Sequence, residues 1–327
     1  MQASRRLFAC SRTQSKGGFV KVVTLTLNPA FDVHCAIDNL IPLKENFATI
    51  TSRQAGGKGL NLSRALANNG VRNTALIVVG KANADAFRES ATFPLVDCEY
   101  VEVDGNVREN YTLHHKNGKE TRISFDGFTC PDGVVKVIAD KLNRLNGGDV
   151  VALTGSISKG IDKNKVIKLL KKLQVNGVKI IMDSRSFSVD DIRNIKPWFI
   201  KPNEQEIEDY VGYKVLSFEQ AVSASKKLYD LGVKNAMVSL GGDGAVITDQ
   251  TGIRRIIPPS VNVKSTIGAG DSLIAGFIYG YVNGLSFNET LKTAIAFGSG
   301  ACTTEGTNPP DSKVIEEIKK QVKIITY

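Results

Sequence analysis

Short runs of aliphatic and β-branched residues recur along the chain at 21–27 (KVVTLTL), 74–80 (TALIVVG), 149–155 (DVVALTG), 178–183 (VKIIMD), 198–201 (WFIK) and 235–240 (NAMVSL). They lack polar alternation, so they predict strands buried on both faces. Between them, segments 132–146, 163–176 and 217–231 carry apolar residues at three- and four-residue spacing and predict amphipathic helices. Strand–helix alternation predicts an α/β fold with a parallel sheet covered by helices on both sides. No internal repeat or long linker interrupts it.

One segment breaks the rhythm. Residues 110–125 (NYTLHHKNGKETRISF) form two strand-like arms around Asn117-Gly118, a strong hairpin signal. With residues 31–51 this hairpin predicts a small antiparallel sheet at the domain edge. Such a projection serves as a lid that excludes water from a reacting phosphate, or is mere decoration.

Composition narrows the class. The chain has 327 residues, 42% hydrophobic and 23% charged, enough for a sizeable core. Its net charge is +9, but Arg5, Arg6, Arg12 and Lys16 lie in an acid-free start, and without them the excess falls to +5. No basic run with interleaved aromatics points to nucleic acid, and attraction of anionic small molecules accounts for the charge. The start has no apolar core of a secretory signal, so residues 1–20 are set apart as a basic extension and the fold is placed at 21–327. No stretch reaches the ~20 apolar residues of a membrane span. Five cysteines without C-x-x-C spacing predict reduced thiols in a cytoplasmic protein, and three histidines show no metal-ligand spacing.

The chemistry concentrates in glycine-bearing turns. In 264–272 (KSTIGAGDS), Gly268, Ala269, Gly270 and Asp271 sit where a strand-like run meets a helix start. Converging N–H groups there suit the charge on a phosphoryl group in flight, and a carboxylate suits proton abstraction from a hydroxyl. A plain helix cap gives the same letters. Gly56, Gly57, Lys58 and Asn61 open another helix, with exposed backbone donors, a point charge and an amide for a sugar hydroxyl. No Gly-Lys pair is followed by Ser or Thr, so this is not a Walker loop. Asp32, in the turn after the first strand, suits two neighbouring hydroxyls or a turn. Asn203 and Glu206 suit water-mediated contact with Mg²⁺, or simply a capping box. The turn after Ser239, with Gly241 and Gly244, suits a nucleotide or a bend.

Taken in order, these segments resemble the ribokinase-like (PfkB) carbohydrate kinase family over nearly the whole chain from about residue 21. The resemblance rests on 56–65 (GGKGLNLSRA), 265–276 (STIGAGDSLIAG), N-P-A-x-D at 28–32 and K-P-N-x-x-E at 201–206. It is nearest the branch acting on phosphorylated ketohexoses, 1-phosphofructokinase and tagatose-6-phosphate kinase. It implies a Rossmann-like three-layer αβα sandwich with lid strands at about 31–55 and 107–127, often a homodimer through the lid. It implies ATP and Mg²⁺, and in many relatives a monovalent cation. Asp271 becomes the catalytic base and Gly268, Ala269 and Gly270 the anion hole. Asp32, Gly56, Gly57 and Asn61 then contact sugar, while Lys58, Arg108 and Ser156 hold the substrate phosphate. Lys201, Asn203, Glu206, Ser239, Gly241, Gly244 and Gly298 serve the nucleotide. The first expectation is phosphorylation of fructose 1-phosphate, followed by tagatose 6-phosphate. A silent sugar-phosphate sensor would lack the base or the anion hole, and a dinucleotide oxidoreductase would need G-x-G-x-x-G after the first strand.

Overall fold

The computed structural model describes residues 20–327; all but the last residue of the basic extension lies outside that range. The chain forms β1 (Val22–Thr26), β2 (Ala30–Ile37), β3 (Thr49–Gly56), α1 (Lys58–Asn68), β4 (Asn73–Gly80), α2 (Ala84–Ser90), β5 (Val96–Val103), β6 (Arg108–His115) and β7 (Glu120–Ser124). It continues through α3 (Val134–Leu142), β8 (Val150–Thr154), α4 (Lys163–Val175), β9 (Lys179–Asp183), α5 (Val189–Ile195), β10 (Phe199–Ile200), α6 (Glu204–Val211), α7 (Phe218–Asp230) and β11 (Asn235–Ser239). It closes with β12 (Ala245–Asp249), β13 (Gly252–Ile257), α8 (Ala269–Val282), α9 (Phe287–Ala301), α10 (Ser312–Gln321) and β14 (Lys323–Thr326).

Ten strands make the main sheet in the order β14-β13-β12-β11-β10-β9-β8-β1-β4-β5. From β5 to β11 every pairing is parallel. The expected parallel sheet therefore holds for its centre, and its far edge is antiparallel through β12, β13 and β14. Gly244, at φ +92° and with Ile256 O only 2.0 Å from where a Cβ would stand, turns the chain back on itself between β11 and β12. Leu62, Leu66, Phe277 and Leu291 fill the core under α1, α8 and α9, while Ile138, Leu170, Ile192 and Leu228 fill the other face. Burial on both faces explains why the central strands read as unbroken apolar runs.

Four strands form the lid, in the order β3-β2-β6-β7. The hairpin at Asn117-Gly118 is present, joining β6 to β7 in antiparallel register. The expectation of a purely antiparallel lid needs correction, because β2 and β6 run parallel. Both strands leave the same edge of the main sheet, after the parallel strands β1 and β5, and so enter the lid in one direction. Residues alternate across its pleat. Asp32, His34, Asn110, Thr112, Arg122 and Ser124 face inward onto a cleft. Ile50, Ile123 and Phe125 lie exposed on the lid strands or just beyond β7.

Candidate active site

The lid and the carboxyl ends of the parallel strands enclose a cleft of about 680 Å³. Open α/β sheets place ligands at this edge, because strand ends and helix starts meet there. Asp32, Gly57, Lys58, Asn61, Arg108, Ser156, Lys201, Asn203, Glu206, Gly268, Gly270 and Asp271 all line it. Residues more than 200 positions apart are thereby joined: Asn61 Nδ2 donates to Asp271 Oδ2 at 3.3 Å.

Two helices start at the cleft. Gly57 precedes α1 with φ +121° and Gly268 precedes α8 with φ +76°, and neither helix has a side-chain cap. A side chain at either position would be strained, and at Gly57 a Cβ would also stand 2.7 Å from the Thr26 methyl. Without a capping side chain, first-turn N–H groups remain available to an anion. The Ala269 N–H is partly engaged by Thr266 O at 3.4 Å, which leaves Gly270 and Asp271 as the better donors. The Lys201 ammonium lies 3.3 Å from where a Gly270 Cβ would be, so a buried cation flanks this helix start.

Asp271 is only 7% exposed. Burial drives its carboxyl up to about 7; Lys58 opposes the rise, Asp183 adds to it, and the Asn61 amide and Lys201 oppose it. A carboxyl poised near neutrality is suited to general-base work. Burial also pushes Asp32 up, against a hydrogen bond from Asn110 and the positive charges of Arg122, Arg108 and Arg64. Gly56 leaves room for that carboxylate, since a Cβ there would stand 2.1 Å from Asp32 Oδ2.

Lys58, expected at the substrate phosphate, lines the cleft and is ion-paired within the protein. Its Nζ lies 3.0 Å from Asp183 Oδ2 and 3.3 Å from Glu206 Oε1. Burial works against its charge, but Asp183, Asp271 and Glu206 raise its pKa overall. Asp183, fully enclosed, is in turn held low by Lys201 and Lys58 despite burial. Sequence reasoning missed Asp183, Arg122 and Asn110. Asp183 ends a predicted strand and could have been noticed there, whereas Arg122 and Asn110 face the cleft only because of the lid pleat. Arg108 is anchored by the Phe125 carbonyl at 2.9 Å and by those of Asn28 and Pro29 at 3.4 Å, so its guanidinium is fixed beside the cleft. Ser156 accepts from Asn28 Nδ2 at 3.0 Å.

Among the residues expected to serve the nucleotide, Asn203 caps α6 and Glu206 Oε2 accepts from the Asn203 N–H at 3.1 Å, so the capping box is present. Glu206 Oε1 still faces the cleft beside Lys58 and Arg185. Ser239 pairs with Asn203 through a single bridge, adjoining this turn from outside the cleft lining. Gly241 and Gly244 belong to the β11–β12 turn, and a Cβ on Gly298 would stand 3.3 Å from Ala269 O; these three, Gly56 and Ala269 do not line the cleft. Among the described residues no cluster of three or more His, Cys, Asp or Glu could hold a metal ion. A hard divalent cation at Glu206 and Asn203 fits only with water and phosphate oxygens completing its shell.

Five buried polar atoms around the cleft lack partners among the described residues: Thr26 Oγ1, Asn28 Oδ1, Asn61 Oδ1, Asn110 Oδ1 and Thr154 Oγ1. Buried polar groups are normally satisfied, so this cluster marks where a hydroxyl-rich ligand would complete the network.

Comparison with known proteins bears on the same geometry. The description "pfkB family carbohydrate kinase" matches residues 39–314. The 1-phosphofructokinases of Haemophilus influenzae and Escherichia coli K12 are each 30% identical over 305 residues, covering 93% of this chain and 97% and 98% of theirs. Phosphofructokinase-2 of Escherichia coli, solved in complex with potassium, superposes with TM-score 0.85 at 25% identity, covering 92% of this chain and 99% of its own. No helix among the described residues is long and apolar enough to cross a membrane. With two uncapped glycine turns, a buried carboxylate and a lid around one cleft, and a family match over most of its length, the chain belongs to the PfkB family of carbohydrate kinases.

Proposed function

We propose that this kinase transfers the γ-phosphoryl group of ATP to the 6-hydroxyl of fructose 1-phosphate, giving fructose 1,6-bisphosphate and ADP. The observation that carries the reading is Asp271, buried at the start of α8, within hydrogen-bonding distance of Asn61 and tuned to about 7. The relatives named 1-phosphofructokinase support the substrate.

Bound Mg·ATP supplies the phosphoryl group and a cation that screens its charge. Asp271 accepts the proton of the attacking hydroxyl as the new O–P bond forms and the bond to ADP breaks. The N–H groups of Gly270 and Asp271, with the Lys201 ammonium, face the charge on the moving group. Asp32, Asn61 and Asn110 hold the sugar hydroxyls, filling the unpartnered amide oxygens. Arg108 and Ser156 take the phosphate already on the sugar, joined by Arg122 of the lid. Glu206 and Asn203 orient the metal-bound waters, and Ser239 with its turn borders the nucleotide.

Two further parts belong to this reading. A monovalent cation beside the anion hole is supported by the potassium complex of the similar phosphofructokinase-2. A homodimer through the lid is supported by exposed Ile50, Ile123 and Phe125.

An ADP-release assay across fructose 1-phosphate, tagatose 6-phosphate, fructose 6-phosphate and fructose tests the substrate. The highest kcat/KM is expected with fructose 1-phosphate. A higher value with either of the other phosphates overturns the assignment, and a higher value with fructose removes the anionic specificity as well.

A further inference from the structure

A second line of polar contacts leaves the cleft through the lid and takes no part in the transfer described above. His34, on β2, lines the catalytic cleft and also an adjoining cleft of about 440 Å³. Its Nδ1 lies 2.8 Å from His114 Nε2, and the rings stack with centroids 5.1 Å apart. His114 Nδ1 in turn lies 3.2 Å from Glu120 Oε1. Three lid strands thus contribute one residue each to a continuous chain.

The outer edge of His34 faces the segment that follows α9 across the adjoining cleft. Its Cε1 and Nε2 stand 3.6 Å from where a Gly306 Cβ would be. The next residue, Thr307, has its Cα 3.6 Å from the corresponding point on Gly268, the residue that starts the Asp271 helix. One short segment therefore lies between the lid histidine on one side and the start of the Asp271 helix on the other.

Proton placement along the chain has a definite consequence. The Glu120 carboxylate makes His114 Nδ1 a donor. With His114 neutral, its Nε2 accepts from the His34 Nδ1–H, and His34 Nε2 is a bare acceptor. A second proton on His114 reverses that bond. His34 Nδ1 then accepts, the tautomer shifts, and His34 Nε2–H becomes a donor toward the Gly306 segment. Burial, with His114 as a secondary cause, holds His34 below the ordinary histidine value. The charged groups facing the pair are Glu120 and Arg122 of β7, with Lys264 and Glu305 from the segments opposite; β3 offers neutral Ser52 and Gln54.

We infer that His34 is a positioning residue, joining the lid to the anion hole through Gly306 and Thr307, and that protonation of the His34–His114 pair tightens this link. The inference rests on the kinase reading for its catalytic consequence, but the link itself is measurable without substrate.

The test compares the full-length wild type with His34→Ala, His34→Gln and His114→Gln. Amide hydrogen exchange of residues 303–308 in the unliganded protein is expected to quicken about fivefold in His34→Ala. With sugar phosphate, kcat is expected to fall about tenfold in His34→Ala, with KM changed less than about threefold. His34→Gln restores part of kcat, because an amide keeps a polar contact. The wild-type advantage over His34→Gln grows as pH falls, and disappears in the His114→Gln background. Unchanged exchange in His34→Ala overturns the link, and a pH-independent wild-type advantage overturns the proton control. A rise in KM alone also overturns the inference, since it makes His34 a substrate contact. If no sugar phosphate is turned over by the wild type, the kinase substrate reading fails while the exchange result still decides the link.

Discussion

Replacing Asp271 with Asn separates what this carboxylate does for catalysis from what it costs the fold. The side chain keeps its shape and its contact with Asn61, so sugar binding is retained. Proton abstraction is lost, and general-base contributions of about 10²- to 10⁴-fold set the expected drop in kcat, roughly 3–5 kcal/mol of barrier. Stability moves the other way. The folded-state value of about 7 exceeds the unfolded 3.8, so the native state binds the proton more tightly. Stability is therefore lost as pH rises from the unfolded value to the folded one, and the full cost is present above about 7. A rise of about three units at 1.36 kcal/mol each amounts to about 4 kcal/mol. Asparagine carries no such cost, and it leaves Lys58, Lys201 and Arg185 facing Asp183 and Glu206. For a chain of this length, an unfolding entropy of about 2.1 cal/mol/K per residue converts 4 kcal/mol to a rise in Tm on the order of 5 °C. Calorimetry of both proteins near pH 8.5 should show Asp271→Asn melting higher, with the gap closing toward pH 4. A variant that melts lower at alkaline pH, or that retains kcat within a factor of ten, refutes the reasoning.

Other perturbations probe the rest of the site. Lys58→Met removes the largest influence holding Asp271 down, so the rising limb of the pH–kcat profile near 7 should shift to higher pH; an unmoved limb with raised KM would place Lys58 on substrate instead. Gly56→Ala drives a methyl into the Asp32 carboxylate, and KM for the sugar phosphate should rise at least about tenfold with KM for ATP unchanged in steady-state assays. Arg108→Ala should cost about 2–3 kcal/mol in kcat/KM for a sugar phosphate and little for the unphosphorylated sugar, compared directly in the ADP-release assay. Ile50→Lys places a charge on the exposed lid surface, and sedimentation should show a wild-type dimer become a monomer.

Much of the scaffold was legible because the signals were local. Central strands with both faces covered carry unbroken apolar runs, and Asn117-Gly118 fixes a hairpin without help from distant residues. The glycine turns at 56–57 and 268–270 were legible for the same reason, since a helix start open to an anion needs residues that tolerate positive φ. The antiparallel edge was not, because β12 and β13 are short segments that only pairing with β11 and β14 defines. Parallel pairing of β2 with β6 depends on both strands leaving one sheet edge, which no short window of sequence contains.

Lys58 shows where local reading of the site stops. In sequence it is a cation beside two glycines, and a phosphate is the natural partner for a cation in such a turn. In the fold, Asp183 arrives from β9 and Glu206 from α6, and both lie within 3.3 Å of its ammonium. A buried carboxylate needs a cation more than a solvated phosphate does, because the phosphate can keep its water while Asp183 cannot. The charge of Lys58 is thus divided among Asp183, Glu206 and, at longer range, Asp271. In the proposed reading this ion-pairing lets Lys58 tune the base, with Arg108 and Arg122 beside the cleft as the cations offered to an anionic substrate. Arg108 and Arg122 reach one cleft because β6 and β7 are paired strands whose alternate residues face it. The lid's pleat thus contributes Arg108 and Arg122 to the cleft, while the domain beneath contributes Lys58 and Lys201.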